Sequence, residues 1–426
     1  MAVAGHFRLA FPQTGKEGSA GPNPPWMNMA FDGLDLTPTE HAARIHRLTG
    51  RKEFTPDEYS LGGVVAELEA AFATLLGKET AVFMPTGTLA NHLAVRALAQ
   101  AHGGAGARVL LPGASHLYND TGDALTVLSG MNMVPLGQES ATFTLAEVEA
   151  QLARLAGGRV ATRAAVLVIE SPVRRCSGEL FDPEELRRVT SFARANGIGL
   201  HLDGARMLIA SAYTGVTPAA MAAPFDTVYV SLYKGLNAPS GAVLAGPRSR
   251  LDGLFHARRM FGGGLPEAWP FAAGALEDLP GFIERLKTAV AASEQVFQAL
   301  ESRGIPVRRV PRGTNVAFLP LGSAEPSGVQ KALADAHVRA RATPRGAKEL
   351  RVVVNESWNR REPRDLAQIL ARVIGRAKPC CWMTLACLLN LPRPRPFRAD
   401  HPRSRFQPIP NRRARSTLRP DDVHSR

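Results

Sequence analysis

Short apolar runs rich in β-branched residues alternate with longer amphipathic stretches from about residue 28 to residue 260. The runs that predict strands are 80–84, 108–111, 132–136, 164–169, 199–203, 227–231 and 241–245. Runs that are apolar on both faces and alternate with helices are typical of a mostly parallel sheet that helices cover on both sides. The pattern therefore predicts an α/β fold built on a seven-stranded, mostly parallel sheet.

Amphipathic periodicity predicts helices between several of these strands. The stretches concerned are 64–76, 89–102, 145–155 and 183–196. The last helix has a clear beginning, because Asp182 can cap it, Pro183 suits its first position and Glu185 follows at its third position.

A second unit with its own helices and strands follows from about residue 265. It predicts helices at 281–303, 327–336 and 363–376, and strands at 307–310, 315–319 and 350–355. Composition changes again near both ends of the chain. We therefore expect a flexible N-terminal arm (1–27), a large α/β domain (28–265), a small C-terminal α+β domain (266–377) and a disordered, basic, Pro/Arg-rich tail (378–426).

Basic residues are concentrated at the C-terminal end. The formal net charge is +13, and residues 378–426 carry eleven Lys or Arg against three Asp. The rest of the chain is only mildly basic, so its charge does not indicate a nucleic-acid-binding protein. Nucleic-acid binding by the tail stays an alternative, but Phe397 and Phe406 are the only aromatic residues beyond residue 391, which disfavours base stacking.

Cysteine usage and hydropathy narrow the class of protein further. Three of the four cysteines lie in the tail and Cys176 alone lies in the body, so a disulfide framework is not expected. No spaced set of Cys and His residues suggests a metal site. No run approaches the roughly 20 apolar residues of a membrane span. We expect a cytoplasmic protein without a bound metal ion.

Lys234 is the residue that points most directly to chemistry. The chain has 8 Lys against 43 Arg, and no other lysine occurs between Lys78 and Lys287. A guanidinium cannot lose its proton or condense with an aldehyde, whereas an ε-amine can do both. An isolated lysine just after the apolar run 228–230 therefore indicates a cofactor-binding amine, although a solvated loop lysine is the ordinary alternative.

Residues 85–91 form a turn between a predicted strand and a predicted helix. N–H groups at a helix N-terminus bind phosphate, Gly87 lets the main chain approach closely, and Thr86 and Thr88 add hydroxyl groups. Ser231, three residues before Lys234, offers a further hydroxyl. The alternatives are that Thr86 only caps the helix and that Ser231 only caps its strand end.

Two more polar residues follow strand ends, at the edge where ligands of parallel sheets bind. Asp203 closes a buried strand and needs a partner, which is either the protonated ring nitrogen of a cofactor or Arg206. His116 follows the strand at 108–111. Its imidazole could stack on a flat ring and transfer protons near neutral pH, although a lone loop histidine often has no such role.

In combination these motifs resemble the threonine aldolase / β-eliminating lyase family of fold type I enzymes, which use pyridoxal 5′-phosphate (PLP). The stretches that carry the resemblance are 57–69, 83–91, 115–118, 201–206, 231–246 and 260–264. Each stretch alone is a weak signal, whereas their order along the chain is specific. The resemblance implies a fold type I transferase-like fold, PLP as cofactor, an amino acid as substrate and a homodimer or homotetramer.

The resemblance also implies roles for individual residues. Lys234 would bind PLP covalently, Asp203 would keep the pyridine nitrogen protonated, and His116 would stack on the ring. The other implied contacts are to the cofactor (Thr86, Gly87, Thr88, Arg206, Ser231) and to the substrate (Arg206, Arg351, Tyr59).

The implied reaction is cleavage of a threonine-like β-hydroxy-α-amino acid into glycine and an aldehyde. The chain departs from the family pattern twice: the loop 170–178 lacks the family's histidine, and Leu265-Pro266-Glu267 replaces Arg-Gln after the triple glycine. Arg174 or Arg175 could therefore serve a different, anionic substrate side chain. β-Elimination, transamination and a catalytically silent PLP-fold protein stay open as alternatives.

Overall fold

A seven-stranded sheet forms the centre of the fold. The structure is a computed structural model of the chain, and the residues that it describes are 26–100, 104, 106–341 and 347–374. Within these ranges the strands are β1 (Met27–Asn28), β2 (Thr80–Met84), β3 (Arg108–Pro112), β4 (Asn132–Leu136), β5 (Ala164–Glu170), β6 (Gly199–Asp203), β7 (Thr227–Ser231), β8 (Ala242–Gly246), β9 (Arg308–Arg309), β10 (Val316–Pro320), β11 (Val338–Arg339) and β12 (Glu349–Val353).

Helices connect and cover these strands. Within the same ranges they are α1 (Pro38–Thr49), α2 (Gly63–Leu76), α3 (Gly87–Ala99), α4 (His116–Asn119), α5 (Ala124–Ser129), α6 (Leu145–Ala156), α7 (Pro183–Ala195), α8 (Met207–Thr214), α9 (Pro218–Ala222), α10 (Arg248–Leu251), α11 (Leu254–Met260), α12 (Trp269–Asp278), α13 (Phe282–Glu301), α14 (Pro326–Asp335) and α15 (Pro363–Ile374), with a 3-10 helix at Glu356–Arg360.

The central sheet has the strand order β2-β8-β7-β6-β5-β3-β4. β8 runs antiparallel to β2 and β7, and the other neighbouring pairs are parallel. Both faces are covered: along β5, Leu167 and Ile169 belong to one hydrophobic cluster, whereas Val166 and Val168 belong to another. The predicted seven-stranded, mostly parallel sheet is confirmed, with strand ends that differ by at most one residue.

The carboxyl ends of three parallel strands carry polar residues. Glu170 ends β5, Asp203 ends β6 and Ser231 ends β7. Glu170 is the Cα partner of Asp203 in the ladder, and Asp203 in turn is the partner of Tyr229. The sheet therefore places these polar groups beside one another at the edge where ligands of parallel sheets bind.

Side-chain caps fix the first residues of two helices that follow strands of this sheet. α7 begins as predicted, since Asp182 Oδ1 accepts hydrogen bonds from the N–H groups of Glu184 (2.9 Å) and Glu185 (3.1 Å). α3 begins at Gly87, two residues earlier than predicted. The reason is the Thr86 side chain, whose Oγ1 accepts a hydrogen bond from the Leu89 N–H (3.2 Å) and caps the helix.

A second, antiparallel sheet has the strand order β12-β10-β9, which agrees with the strands predicted beyond residue 300. β1 pairs with β11 in parallel, so Met27 is buried in a strand although the sequence analysis includes it in the N-terminal arm. The rest of the predicted arm, 1–25, and the predicted tail, 378–426, lie outside the described residues. The domain boundary at residue 265 stays a prediction.

Two kinds of feature are absent from the described ranges. No helix there is long and apolar enough to cross a membrane. No group of three or more His, Cys, Asp or Glu residues there is arranged to hold a metal ion.

Candidate active site

A cavity of about 630 Å³ lies beside the loops that follow β6 and β7. The N-terminal segment from Ala30 to Leu36 forms one wall, and Arg351 of β12 contributes to another. The cavity brings together five residues that the sequence analysis singles out: His116, Arg174, Arg206, Lys234 and Arg351. Asp203, Ser231 and residues 86–88 are not part of its wall.

Lys234 lies in a loop that Asn237, three residues later, ties to two other segments of the chain. The Asn237 Oδ1 accepts a hydrogen bond from the Leu34 N–H (2.6 Å), and its Nδ2 donates to Asp278 Oδ2 (2.7 Å). Among the described residues the Lys234 amine makes no hydrogen bond or ion pair. Burial, and after it the charge of Arg206, lower its pKa. A lower pKa increases the fraction of neutral amine, which is the form that attacks an aldehyde.

Asp203 is held by an amide and a main-chain N–H. Asn91 Nδ2 donates to Asp203 Oδ2 (2.6 Å), and the Ala205 N–H donates to Asp203 Oδ1 (3.2 Å). Arg206, the alternative partner that the sequence suggests, bonds elsewhere. The charge of Asp203 partly offsets the lowering of the pKa values of Lys234 and His116, so this carboxylate lies within electrostatic reach of both groups.

A chain of buried side chains supports this carboxylate. His201 Nε2 lies 2.8 Å from Asn91 Oδ1, and its Nδ1 lies 2.9 Å from Thr227 Oγ1. Since Asn91 donates to Asp203, its Oδ1 must accept, so Nε2 of His201 carries the proton and Nδ1 accepts from Thr227. Burial lowers the pKa of His201 to about 4. The imidazole is therefore neutral and its hydrogen-bond direction is fixed.

Glu170 anchors two loops of the site with one carboxylate. Its Oε2 accepts from the His116 N–H (2.6 Å), and its Oε1 accepts from the Arg174 N–H (2.9 Å). Burial, and after it the neighbouring Asp203, raise the pKa of Glu170 to about 7. The backbone positions of His116 and Arg174 are thus both set by the last residue of β5.

Asp32 connects Arg206 to the second sheet. The Asp32 Oδ2 accepts from Arg206 Nε (2.9 Å) and pairs with its Nη2 (2.9 Å), while Oδ1 accepts from Asn315 Nδ2 (3.0 Å). Arg351 has no ion pair or side-chain hydrogen bond within the described ranges, and burial lowers its pKa. A second guanidinium therefore faces the cavity beside the paired Arg206.

The turn at Gly87 presents several donors. A Cβ on Gly87 would lie 1.9 Å from the Tyr229 hydroxyl oxygen, so only glycine lets β7 approach the helix so closely. Burial holds the pKa of Tyr229 well above its usual value, which keeps this hydroxyl protonated. Ser231 is 3% exposed, and its Oγ has no hydrogen-bond partner in the described chain. The Thr86 oxygen accepts in the cap and its O–H can still donate, so the donors at this turn are main-chain N–H groups and the hydroxyls of Thr86, Thr88, Tyr229 and Ser231.

Comparison with known families agrees with this arrangement. A family model described as "Beta-eliminating lyase" matches residues 51–320, which is more than half of the chain. The chain belongs to the beta-eliminating lyase family.

Two relatives within the range of similarity found are named as threonine aldolases. A low-specificity L-threonine aldolase 1 from Arabidopsis thaliana is 27% identical over 301 residues, which cover 69% of this chain and 82% of that protein. A low-specificity L-threonine aldolase from Escherichia coli is 26% identical over 288 residues, which cover 68% of this chain and 84% of that protein.

Solved structures support the fold of this family. A putative aromatic amino acid beta-eliminating lyase/threonine aldolase from Exiguobacterium has a TM-score of 0.68 at 23% identity and covers 82% of this chain and 96% of its own. A putative L-allo-threonine aldolase from Listeria monocytogenes has a TM-score of 0.67 at 23% identity and covers 83% and 96%. At this level of identity the likeness shows the fold, which is the predicted fold type I architecture.

The polar groups of this site fit PLP. An unpaired amine suits the aldehyde, the Asp203 carboxylate suits a protonated pyridine nitrogen, and the buried Ser231 hydroxyl, which has no partner among the described residues, suits a phosphate oxygen. The chemistry of the donor set therefore matches the three polar ends of this cofactor.

Tyr59 is the one predicted substrate-binding residue that does not border the cavity. It is 43% exposed, lies outside the cavity wall and has a positive φ of 52°. Its role in substrate binding stays a prediction.

Sequence reasoning missed Asp32, Asn91 and Tyr229, because their partners are distant in sequence. Glu170 could have been found, since a carboxylate ending a fully apolar strand needs donors.

Proposed function

We propose that this protein is a PLP-dependent lyase that cleaves a threonine-like β-hydroxy-α-amino acid into glycine and an aldehyde. The observation that carries the proposal is the partly buried, unpaired amine of Lys234 beside Asp203 and His116. Family membership and the names of the relatives support the same reaction class.

Different residues would hold the aldehyde, the pyridine ring and the phosphate of the cofactor. Lys234 would bond covalently to the aldehyde carbon of the cofactor, Asp203 would keep its pyridine nitrogen protonated, and His116 would stack on its ring. Main-chain N–H groups of α3 and the hydroxyls of Thr86, Thr88 and Ser231 would bind the phosphate. When bound, PLP supplies an electron sink for the electron pair left on Cα as the Cα–Cβ bond breaks.

The substrate would be oriented by the two guanidinium groups of the cavity. Arg206 and Arg351 bind the α-carboxylate, and the Asp32 pairing keeps the Arg206 fork in one orientation. His116 has a pKa lowered mainly by burial, so its ring is neutral near pH 7 and can accept the β-hydroxyl proton. The Lys234 amine would carry protons to and from Cα of the substrate.

A second candidate function is β-elimination, which the family description itself favours. The same residues bind the amino acid and the same electron sink serves both reactions. Product analysis with threonine, serine and cysteine separates the two. Glycine and acetaldehyde from threonine indicate aldol cleavage, whereas pyruvate and ammonia from serine or cysteine indicate elimination.

We also propose a homodimer or homotetramer in the cytoplasm. Exposed apolar side chains at Tyr59, Leu61 and Met260 support contact with a second copy. A body with the single cysteine Cys176 suits a reducing compartment. Light scattering of the purified protein measures the subunit number.

Lys234→Ala tests the function directly. Purified wild-type protein with PLP is expected to show a visible-range absorbance band of the lysine-bonded cofactor, and the variant is expected to lack it. Threonine cleavage should fall by about four orders of magnitude, because the covalent attachment point and a proton carrier are both lost. Absorbance spectra and glycine formation are the measurements.

Lys287→Ala is the matched control for this test. Lys287 is exposed and pairs with Glu284 three residues away, so its loss should change neither spectrum nor rate. A Lys234→Ala protein that keeps the visible band and the wild-type rate would rule out the proposed role of Lys234.

A further inference from the structure

Positive charge exceeds negative charge around the cavity. The bordering guanidinium groups belong to Arg174, Arg206, Arg341 and Arg351, and the bordering carboxylates belong to Asp32 and Asp35. Asp32 pairs with Arg206, whereas Asp35 pairs with Arg339 outside the cavity wall. A substrate with only its α-carboxylate would engage Arg206 and Arg351 and would leave Arg174 without a function in binding.

Arg174 is placed by the same residue that places His116. Both backbone N–H groups donate to the Glu170 carboxylate, one to each oxygen. Burial mainly lowers the pKa values of His116 and Arg351, and the positive charge of Arg174 adds to the lowering in both. The Arg174 guanidinium therefore lies within electrostatic reach of the His116 ring and of the predicted carboxylate clamp.

Asp120 neutralises Arg174 only in part. It pairs with Arg174 Nη2 and also with Arg175 Nη2 (3.6 Å), so one carboxylate serves two guanidinium groups. Asp120 and Arg174 are both partly exposed. A surface pair of this kind is weak and exchanges readily for a better-placed anion. Arg175 pairs with the same carboxylate but does not border the cavity.

We infer that Arg174 is a specificity-determining residue that binds a second carboxylate, on the side chain of the substrate. This inference rests on the proposed function and names its substrate class as β-hydroxy-α-amino acids with an acidic side chain, of which β-hydroxyaspartate is the smallest. Cleavage breaks its Cα–Cβ bond, the β-hydroxyl loses its proton to give glyoxylate, and Cα gains a proton to give glycine. Atoms and electrons balance without a further reactant.

Steady-state kinetics of the holoenzyme with β-hydroxyaspartate and threonine test the inference. In the wild type, kcat/KM should favour β-hydroxyaspartate by about tenfold or more. In Arg174→Gln the ratio of the two kcat/KM values should fall by about 10- to 100-fold, mainly through KM for β-hydroxyaspartate, as expected for the loss of a charge-assisted hydrogen bond. Arg174→Lys should restore part of that loss.

Arg175→Gln is the matched control, since Arg175 shares Asp120 and has similar exposure but lies outside the cavity wall. It should leave the ratio unchanged. Equal effects of Arg174→Gln on both substrates, or a wild type that prefers threonine, would overturn the inference while leaving the proposed function intact. No glycine from either substrate would instead overturn the proposed function.

Ligand binding gives a readout that does not depend on turnover. L-Aspartate and L-2-aminobutyrate both lack a β-hydroxyl and differ by a carboxylate in place of a methyl group. Titrations followed by cofactor absorbance should show tighter binding of aspartate to the wild type by about tenfold, and equal binding to Arg174→Gln. Asp120→Asn should strengthen aspartate binding several-fold, because it removes the competing carboxylate. Unchanged preference in both variants would contradict the role of Arg174.

Discussion

At the scale of single residues, the site depends on groups whose protonation is fixed by burial. His201 has no exposed surface, and its neutral ring donates to Asn91, which donates to Asp203. A charged imidazole there would have no anionic partner and would reverse the hydrogen bond to Thr227. The orientation of the Asp203 carboxylate therefore depends on a histidine that does not border the cavity.

His201→Gln is expected to change the pH dependence of stability. In the folded state the pKa of His201 is about 4 against 6.5 in the free side chain, so the unfolded state binds more protons between these values. Neutral His201 therefore contributes about 3 kcal/mol to the free energy of unfolding. This contribution is fully present above pH 6.5 and is lost as the pH falls through 4. Free energies of unfolding, measured by denaturant from pH 7 to pH 4, should fall less steeply in the variant.

Two other histidines help to interpret the pH dependence of stability. The pKa of His92 is also lowered by burial to about 4, so part of the slope should persist in His201→Gln. His256 is exposed, and His256→Gln should keep the full wild-type slope. If His201→Gln and His256→Gln gave the same slope, the neutral role of His201 would be excluded.

At the scale of elements, the start of α3 depends on how closely β7 approaches it. The Tyr229 ring lies against Gly87, where a Cβ would meet the hydroxyl oxygen at 1.9 Å and Cζ at 2.4 Å. The same turn carries the N–H groups that would hold the PLP phosphate. A side chain at Gly87 must therefore displace either the helix start or the strand side chain.

Gly87→Ala is expected to weaken PLP binding by about tenfold or more and to lower the free energy of unfolding by about 1–3 kcal/mol through overpacking. The dissociation constant can be measured by titrating apoprotein with PLP and following absorbance. Gly253→Ala is the matched control. Gly253 precedes α11 with a φ of −86°, and a Cβ there would meet no other atom within 4 Å, so that variant should behave as wild type. Wild-type PLP affinity in Gly87→Ala would contradict this account.

Helices and strands could be predicted from the sequence where a local pattern of apolar and polar residues marks them. The sequence predicts the central strands to within one residue, because β-branched apolar runs bounded by polar residues are a local signal. It does not predict α8, since Met207 to Ala212 are all buried and leave no amphipathic period. It predicts a start of α3 that is two residues too late, because the sequence leaves open whether Thr86 binds a phosphate or caps the helix. In the structure the Thr86 side chain caps the helix.

At the scale of the whole molecule, Asp32 links three parts of the chain that are distant in sequence. It precedes α1, and its carboxylate bonds to Arg206 after β6 and to Asn315 before β10. Burial alone would raise the pKa of Asp32, but the charge and hydrogen bonds of Arg206 and Asn315 lower it. The carboxylate is therefore ionised and holds the cavity wall together.

Asp32→Asn is expected to lower the free energy of unfolding by about 3 kcal/mol, because a buried guanidinium loses its anionic partner. Denaturant unfolding at neutral pH measures the change. Asp335→Asn removes an exposed carboxylate that pairs with Lys331, and this control should change stability by less than about 0.5 kcal/mol. Equal stability of the two variants would show that the Asp32 pair does not hold the wall.

The sequence by itself determined the α/β class, the strand positions and the isolated lysine, because these depend on residues a few positions apart. Only the tertiary structure decided which partner each charge takes: Asp203 bonds to Asn91 across 112 residues, and Arg206 bonds to Asp32 across 174 residues. Local sequence offered Arg206 as one possible partner of Asp203, since the two lie three residues apart. Sheet topology brings β6 against α3 and the N-terminal segment, and this long-range arrangement determines the charges that Lys234 meets.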